Sequence, residues 1–329
     1  MAIKVKKTRE KVVPSAQAAA SAASNPLISD TKLKQLYSTM LQSRLLKERA
    51  QRLNKTSNKM AQNFGGEAVV VGSAIDLRQE DWLAPSQDDV LGKFIKGVPL
   101  ASILSGSGSG KPAKRSTGKT VVKVHPESDP SPSHILPGAA NPAAQLRLAS
   151  GVALALPRTE SSNVVMAFFG ETSGSGQRWQ EALTFAGEHC LPLLVVVRCK
   201  ASSKAGSALT AKSSANFLSE AHTCGLPVIA VDAEDVVAIY RVAHESIHKA
   251  RRGGGPTLIV AVSLHQAHEG KSAKESGSHN LDAIAKMENH LTAKGLFSAA
   301  WKQKLIDDFN READSAIRTV KRRSSRGSR

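Results

Sequence analysis

The chain has 329 residues, of which 41% are hydrophobic and 4% aromatic, and its formal net charge is +17. This length and apolar content allow one large core and exclude a chain that is too polar to fold. The sequence contains no long uncharged apolar run, so it offers neither a membrane span nor a signal peptide, and we expect a cytoplasmic protein.

Most of the positive charge lies near the two ends of the chain and in one stretch rich in Gly, Ser and Lys. Residues 1–25 are predicted to be a flexible basic and Ala/Ser-rich leader, and residues 318–329 a basic tail. Between them, residues 26–317 form the predicted folded domain, with a mobile insertion at about 105–133. Such tails are ordinarily solvated, so we expect at most nonspecific contact with polyanions.

The three cysteines, Cys190, Cys199 and Cys224, are odd in number and form no Cys-x-x-Cys pair. This pattern suggests neither a disulfide framework nor a zinc ribbon. We therefore expect three buried thiols.

The elements alternate between helices and strands along most of the chain. Apolar residues at three- and four-residue spacing predict helices, and short continuous apolar runs predict strands that are buried on both faces. Helices are expected at about 30–45, 66–77, 179–188, 236–250 and in the region 281–317, and strands at 164–169, 193–197, 228–231 and 258–262. This alternation indicates an α/β fold with a mostly parallel sheet.

The most informative segment begins directly after the first of these strands. It contains Gly170-Glu171-Thr172, then Glu181-Ala182 on the next helix, Leu191-Pro192 before the next strand, and Cys199-Lys200 at the end of that strand. In register and without gaps, it resembles the thiamine diphosphate motif of dehydrogenase alpha subunits, which reads Gly-Asp-Gly, Glu-Ala, Leu-Pro and Asn-Asn.

Three further blocks follow the same family in the same order. Residues 66–72 resemble the family helix pattern Gly-Gln-Glu-Ala-x-x-x-Gly, residues 81–86 lead to 96–100 at the family's distance, and residues 256–262 resemble the strand before its active-site loop. The chain therefore resembles the alpha subunit of the first, dehydrogenase/decarboxylase, component of 2-oxo acid dehydrogenase complexes. This resemblance implies a doubly wound sheet of the thiamine diphosphate-binding fold, with thiamine diphosphate and Mg²⁺ as the family's cofactors.

The metal ligands of the family are largely replaced. Mg²⁺ prefers oxygen ligands, and Glu171, in place of the family's Asp, could still supply one. Cys199 and Lys200 replace the Asn pair, and the Lys200 ammonium stands at the metal-binding position without a lone pair to donate. Thr172 adds a branched side chain where the family has Gly beside the phosphate. Among the metal ligands, only Glu171 is a candidate for retention.

The phosphate contacts are altered as well. Gln87 and Asp88 stand where the family has Tyr-Arg, so the charge that would face the diphosphate is reversed. His265 and His268 are candidate remnants of the family's Tyr-Arg-x-x-x-His loop, and His268 lies one position from the family's His. The possibility that His268 is a shifted equivalent of that His stays open, although we favour the interpretation of a polar loop. We expect thiamine diphosphate binding to be weak or absent.

Other candidate side chains have ordinary explanations that we favour. Cys199 lies between Arg198 and Lys200 and could be a nucleophile, but a small residue at a strand end is the better interpretation. His244 and His248 indicate a solvated helix face rather than a zinc site. Glu171 and Lys200 could pair directly in place of the metal, or be solvated separately.

Three hypotheses about function follow. The first is a catalytically degenerate alpha-like subunit, a pseudoenzyme with a structural or regulatory role, in a homo-oligomer or with a beta-type subunit. Its predicted interface surfaces are the apolar stretches Val69–Ile75 and Leu183–Ala186. The alternative is an active alpha subunit that decarboxylates pyruvate or a branched-chain 2-oxo acid together with a beta partner. The third is a protein that associates with polyanions through its tails.

Overall fold

The computed structural model describes residues 28–53, 66–85, 90–106, 134–138, 141–156, 162–170, 177–200, 223–263 and 282–326. The predicted leader lies outside these residues, and so does nearly all of the predicted insertion. Within the described residues, no helix is both long and apolar enough to cross a membrane.

The described residues form helices and strands in an alternating order. The helices are α1 (Asp30–Leu53), α2 (Glu67–Ala74), α3 (Val90–Ile95), α4 (Leu100–Gly106), α5 (Pro142–Ala155), α6 (Gln177–Glu188), α7 (Val236–Arg251), α8 (Ala283–Ala293) and α9 (Ala299–Arg326). The strands are β1 (Trp82–Ala84), β2 (Val165–Phe169), β3 (Leu193–Lys200), β4 (Val228–Asp232) and β5 (Thr257–Ser263).

The five described strands form one parallel sheet in the order β1-β2-β3-β5-β4. From β1 to β3, successive strands of the chain are added side by side in one direction. β4 then forms the far edge of the sheet, and β5 lies between β3 and β4. The prediction of a doubly wound, mostly parallel α/β sheet is confirmed. In such sheets ligands bind at the carboxyl ends of strands where the winding direction reverses, which here is between β3 and β5.

Helices cover both faces of the sheet because successive strand side chains point to opposite sides. One apolar cluster contains side chains of α1, α2, α7 and α8 and one face of the strands, including Met166, Phe168, Leu194 and Val196. The other contains side chains of α5 and α6 and the opposite face, including Val165, Ala167, Val195 and Val197. The continuous apolar runs of β2 and β3 are therefore explained by burial on two sides.

A third apolar cluster attaches the long C-terminal helix to the domain. Phe309 and Ala313 of α9 pack against α1 and α4, and Phe94 meets Phe309 edge to face with ring centroids 6.1 Å apart. Ile317 is the last residue of α9 in this cluster. The helix itself continues to Arg326, so it extends into the segment 318–329 that was expected to be a tail.

Two expectations from the sequence are wrong. The stretches Val69–Ile75 and Leu183–Ala186 were predicted as interface surfaces, yet most of their apolar side chains are buried in the chain's own core. Helices that are apolar on several sides lie here between the sheet and other helices, rather than at a subunit surface. The three cysteines are not all buried, because Cys190 is exposed and Cys224 is half-buried.

A buried ion pair holds the amino-terminal edge of the sheet. Asp81, just before β1, receives two hydrogen bonds from Arg251 at the end of α7, of 3.0 and 2.6 Å, and one of 2.9 Å from the backbone N–H of Val164 before β2. The ammonium of Lys96 donates to three backbone carbonyls, those of residues 78, 79 and 81. Burial lowers the pKa of Lys96, although the Asp81 carboxylate opposes this shift. This edge is therefore cross-linked by charged groups whose hydrogen-bonding partners lie within the chain.

Candidate functional site

Three of the positions that the family resemblance assigns to the cofactor have a described backbone, and these three, Gly170, Cys199 and Lys200, lie at the carboxyl edge of the sheet. Gly170 follows β2, whose last residue, Phe169, pairs in register with Val197 of β3. On the other side of β3, Lys200 pairs in register with Ser263 at the end of β5. The described backbone thus brings the ends of β2, β3 and β5 together next to the point where the winding reverses.

The side chain of Cys199 points into the interior of the protein. Its side chain is 0% exposed and lies in the apolar cluster with α5 and α6. A thiol in this position offers no oxygen ligand and is not accessible as a nucleophile. The interpretation of Cys199 as a small residue at a strand end is therefore the one that fits its surroundings.

Most of the other predicted site side chains lie outside the described residues. This holds for Gln87, Asp88, Glu171, Thr172, His265 and His268, and for the side chain of Lys200. The pairing of Glu171 with Lys200 consequently stays a prediction.

The amino terminus of α2 closes one side of this edge. Gly66, the N-cap residue of α2, is buried and has a φ of 94°. The guanidinium of Arg198, on β3, lies against it so closely that a Cβ built on Gly66 would be 2.2 Å from Nη1 of Arg198. The sequence alone marks Arg198 only as a cation next to Cys199. Strand alternation could have placed it on the face opposite to Cys199.

A buried carboxylate anchors the same end of α2. The side chain of Glu67 is 1% exposed, and its oxygens lie 3.2 Å from Arg44 and 3.4 Å from Lys47, both on α1. Arg44 also forms a bidentate pair with Asp282, just before α8. Burial raises the pKa of Glu67, but the two cations outweigh it and hold that pKa below its ordinary value. Glu67 therefore stays ionised and links α1 to α2.

A second carboxylate network lies at the other end of α2 and was missed from the sequence. Asp76 receives a hydrogen bond of 2.9 Å from Lys32 and one of 2.8 Å from the hydroxyl of Tyr240, and it lies 2.8 Å from Nδ1 of His244. His244 is thus a partner in a network, not merely part of a solvated helix face as predicted. The lone Asp after an apolar helix gave no sequence pattern that would reveal these partners.

An acidic cleft of about 250 Å³ opens beside the end of β4, between α7 and α8. Its carboxylates already have partners: Asp232 pairs with Lys286 at 3.0 Å, Glu234 accepts from Ser263 at 2.8 Å, and Asp235 caps α7. Across the part of the chain that the structure describes, no cluster of three or more His, Cys, Asp or Glu side chains could hold a metal. The carboxylates of this cleft therefore serve contacts within the chain.

The comparison with protein families decides the assignment. The family model described as dehydrogenase E1 component matches residues 37–327. The chain belongs to the dehydrogenase E1 component family. The match covers the sheet, all of α9 and both helix layers except the first residues of α1, so it includes the carboxyl edge described above.

Several alpha subunits of this E1 family are similar to the chain. The 2-oxoisovalerate dehydrogenase subunit alpha of Bacillus subtilis is 27% identical over 297 residues, which is 86% of this chain and 88% of that protein. The 3-methyl-2-oxobutanoate dehydrogenase subunit alpha of Mycobacterium tuberculosis is 30% identical over 76% of this chain and 66% of its own length. The pyruvate dehydrogenase E1 component subunit alpha of Bacillus subtilis is 24% identical over 90% and 80%, respectively. The predicted resemblance to the alpha subunit is confirmed.

Among solved structures, an X-ray structure assigned as a thiamin diphosphate-dependent enzyme from Mycobacterium smegmatis gives a TM-score of 0.40 at 15% identity. The alignment covers 62% of this chain and 32% of that chain. This similarity is too low to support a conclusion, so the family assignment rests on the sequence matches.

Proposed function

We propose that this E1 alpha-like chain is catalytically degenerate and has a structural or regulatory role in a 2-oxo acid dehydrogenase-type assembly. In this proposal it associates with copies of itself or with a beta-type subunit, and it binds thiamine diphosphate and Mg²⁺ weakly or not at all. Membership of the E1 family supports the type of assembly. The residues at the carboxyl edge of the sheet support the loss of catalysis.

The observation that carries the proposal is the environment of Cys199. The family has the first Asn of its pair at this position, whereas this chain has a thiol that is 0% exposed and packed among apolar side chains. The next residue, Lys200, takes the place of the metal-binding Asn, and an ammonium group has no lone pair for a cation. A hard ion that requires oxygen ligands would therefore receive no side-chain oxygen from Cys199 or Lys200.

The replacement of the family's Arg by Asp88 supports the same conclusion from a different segment. A carboxylate beside a diphosphate replaces an attractive, charge-assisted hydrogen bond with repulsion between like charges. Because β3 and the segment after β1 are separate elements, these losses are independent of each other. One change alone could be offset elsewhere, but two changes on different elements favour loss of the cofactor.

Calorimetric titration tests the proposal. Purified full-length chain is titrated with thiamine diphosphate in the presence of Mg²⁺, alone and after addition of a beta-type E1 subunit, with a catalytically active alpha/beta pair as the positive control. We expect no saturable binding at micromolar cofactor in either case, and saturable binding in the control. Micromolar binding by the wild-type chain would refute the degenerate assignment and favour the active alpha subunit.

Thermal unfolding gives a second readout that does not depend on heats of binding. A ligand at 100 times its Kd stabilises a folded protein by about 2.7 kcal/mol. The wild-type chain should therefore show no shift of its unfolding midpoint with cofactor and Mg²⁺, whereas the active control should shift upwards. Sedimentation velocity on the same samples would show whether the chain associates with itself or with the beta-type subunit.

A variant in which family residues are restored tests why cofactor binding is lost in this proposal. Asp88→Arg, Thr172→Gly and Lys200→Asn return three family residues to the site. We leave Cys199 unchanged, because an Asn amide in its apolar surroundings would cost about 1–3 kcal/mol if it found no hydrogen-bond partner. If the missing ligands alone account for the loss, this triple variant should bind thiamine diphosphate measurably.

A further inference from the structure

We propose that His244 and His248 on α7 form a binding site for a divalent transition-metal ion such as Zn²⁺. The segment 244–248 reads His-Glu-Ser-Ile-His, and His-Glu-x-x-His is the spacing that places two imidazoles on one face of zinc-binding helices. Spacing alone does not separate such a site from a solvated helix face, so the inference depends on the neighbours of the two rings. Neither histidine is one of the family's cofactor positions, and the inference is therefore independent of the proposed function.

The two rings lie next to each other on α7. His244 and His248 are four residues apart in this helix, so they occupy successive turns of the same face. Their ring centroids are 4.5 Å apart, with an angle of 62° between the ring planes. Two imidazoles bound to one zinc ion at about 2.0–2.1 Å, with a bond angle of about 90–110°, would have centroids roughly 4.5–5.2 Å apart. The positions of the two rings are therefore compatible with one shared ion.

Asp76 orients His244 in the way that a metal ligand requires. Its Oδ2 atom lies 2.8 Å from Nδ1 of His244. Burial raises the pKa of Asp76, but hydrogen bonds from its partners outweigh burial and hold the pKa below its ordinary value of 3.8. An ionised carboxylate can only accept, so Nδ1 carries a proton and the neutral ring has its lone pair at Nε2. Histidines that bind metals typically donate their other N–H to a carboxylate in this manner.

The contacts around Asp76 fix the orientation of His244 before any ion binds. The Tyr240 hydroxyl donates to Oδ2 of Asp76 at 2.8 Å, and the Lys32 ammonium donates to Oδ1 at 2.9 Å. The Tyr240 ring lies 5.6 Å from the His244 ring, one turn away on α7. Side chains from α1 and α7 thus hold the carboxylate that holds the imidazole. A ligand fixed in this way loses less conformational entropy on binding, which favours affinity.

The site is open to solvent, and its local charges permit a cation. The side chain of His244 is 38% exposed, and His248 and Glu245 are both exposed. The Lys32 ammonium repels a cation, but the Asp76 carboxylate that it contacts balances its charge. Among the described residues, no group of three or more His, Cys, Asp or Glu side chains is placed to hold a metal. The proposal is therefore limited to two protein ligands, of the type that Zn²⁺ accepts, with water in the remaining positions.

The test titrates Zn²⁺ into the full-length chain by calorimetry, after a chelator has removed metals and has itself been removed. We expect saturable binding below about 100 μM zinc. Because each imidazole is a direct ligand, His244→Ala and His248→Ala should each weaken this binding by about tenfold or more. The control is His189→Ala, which removes an exposed imidazole just after α6 and should leave zinc binding unchanged. Absence of saturable binding, wild-type affinity in either α7 variant, or an equal loss in the control would overturn the inference.

Chemical footprinting tests the site in the wild-type chain, where no substitution can disturb folding. Diethyl pyrocarbonate modifies free imidazole, and mass spectrometry locates the modified residues. Saturating Zn²⁺ should protect His244 and His248 but not His189, and absence of protection at either α7 residue would overturn the site. Asp76→Asn tests the positioning role of the carboxylate. It should weaken zinc binding by about 10–100-fold, and wild-type affinity in a folded Asp76→Asn variant would show that Asp76 does not position the ligand.

Discussion

Replacing Asp81 by Asn should destabilise the fold strongly, although the side chain hardly changes in size. The side chain of Asp81 is 0% exposed and that of its partner Arg251 is 8% exposed, so water cannot compensate for a lost contact. The Asp81 carboxylate accepts four hydrogen bonds, two from Arg251 and one each from the backbone N–H groups of Arg78 and Val164. An Asn amide keeps one acceptor oxygen but turns an NH₂ donor towards these donors.

The magnitude follows from the cost of leaving a buried charge without its counter-charge. Removing one partner of a buried ion pair typically costs about 3–5 kcal/mol. Because the substituted amide retains part of the hydrogen bonding, we expect a value near the lower limit, about 3 kcal/mol. At roughly 2–4 °C per kcal/mol for a domain of this size, Asp81→Asn should lower the thermal midpoint by about 6–12 °C.

Equilibrium unfolding in urea, followed by circular dichroism, measures this difference directly. The matched control is Asp314→Asn, the same chemical change in a pair between Arg49 and a side chain that is 50% exposed. Exposed pairs contribute about 0–1 kcal/mol, so the control should shift the midpoint little. Equal losses for the two variants, or a loss below about 1 kcal/mol for Asp81→Asn, would show that the amino-terminal edge does not depend on this ion pair.

Three further outcomes can be measured on the same protein. Burial raises the pKa of Asp76, but the hydrogen bonds from Lys32, His244 and Tyr240 outweigh burial, so the pKa in the folded protein lies below the ordinary value of 3.8. The ionised Asp76 therefore stabilises the fold above pH 3.8, and this stabilisation is lost as the pH falls through the lowered pKa. Acid unfolding should accordingly be less steep in Asp76→Asn than in the wild type. A thiol reagent should modify the exposed Cys190 in the folded protein and the buried Cys199 only after denaturant unfolds it. Deletion of residues 1–25 and 318–329 should change the unfolding free energy by no more than about 0.5 kcal/mol, and it should remove most of any salt-sensitive binding to nucleic acid.

The sheet could be predicted from the sequence because its inner strands are apolar on both faces. β2, β3 and β5 therefore stand out as continuous runs, and the alternation with helices indicates parallel pairing. β1 was not predicted, since its three residues, Trp82–Ala84, are too few to show a period. The same continuous apolarity hides which face each side chain occupies. The sequence therefore did not reveal that Cys199 faces an apolar layer and Arg198 faces α2.

The carboxylate networks could not be predicted because their partners are far apart in the sequence. Asp81 and Arg251 are separated by 170 residues, and Asp76 and Tyr240 by 164. No local spacing distinguishes such residues from solvated charges. The interface prediction failed for a related reason. An apolar helix such as α2 can be buried either by a second subunit or by its own chain, and its composition is the same in both cases.

The position of the Asp81 network is consistent with the proposed loss of the cofactor in a chain that still folds. In a doubly wound sheet the ligand site lies at the carboxyl edge, which leaves the amino edge free for structural interactions. Here the amino edge is held by Asp81, Arg251 and Lys96, and all of their hydrogen bonds described above are made within the chain. Under the proposed function, substitutions at the family's cofactor positions therefore change the chemistry of the ligand site, while the ion pairs at the amino edge remain in place.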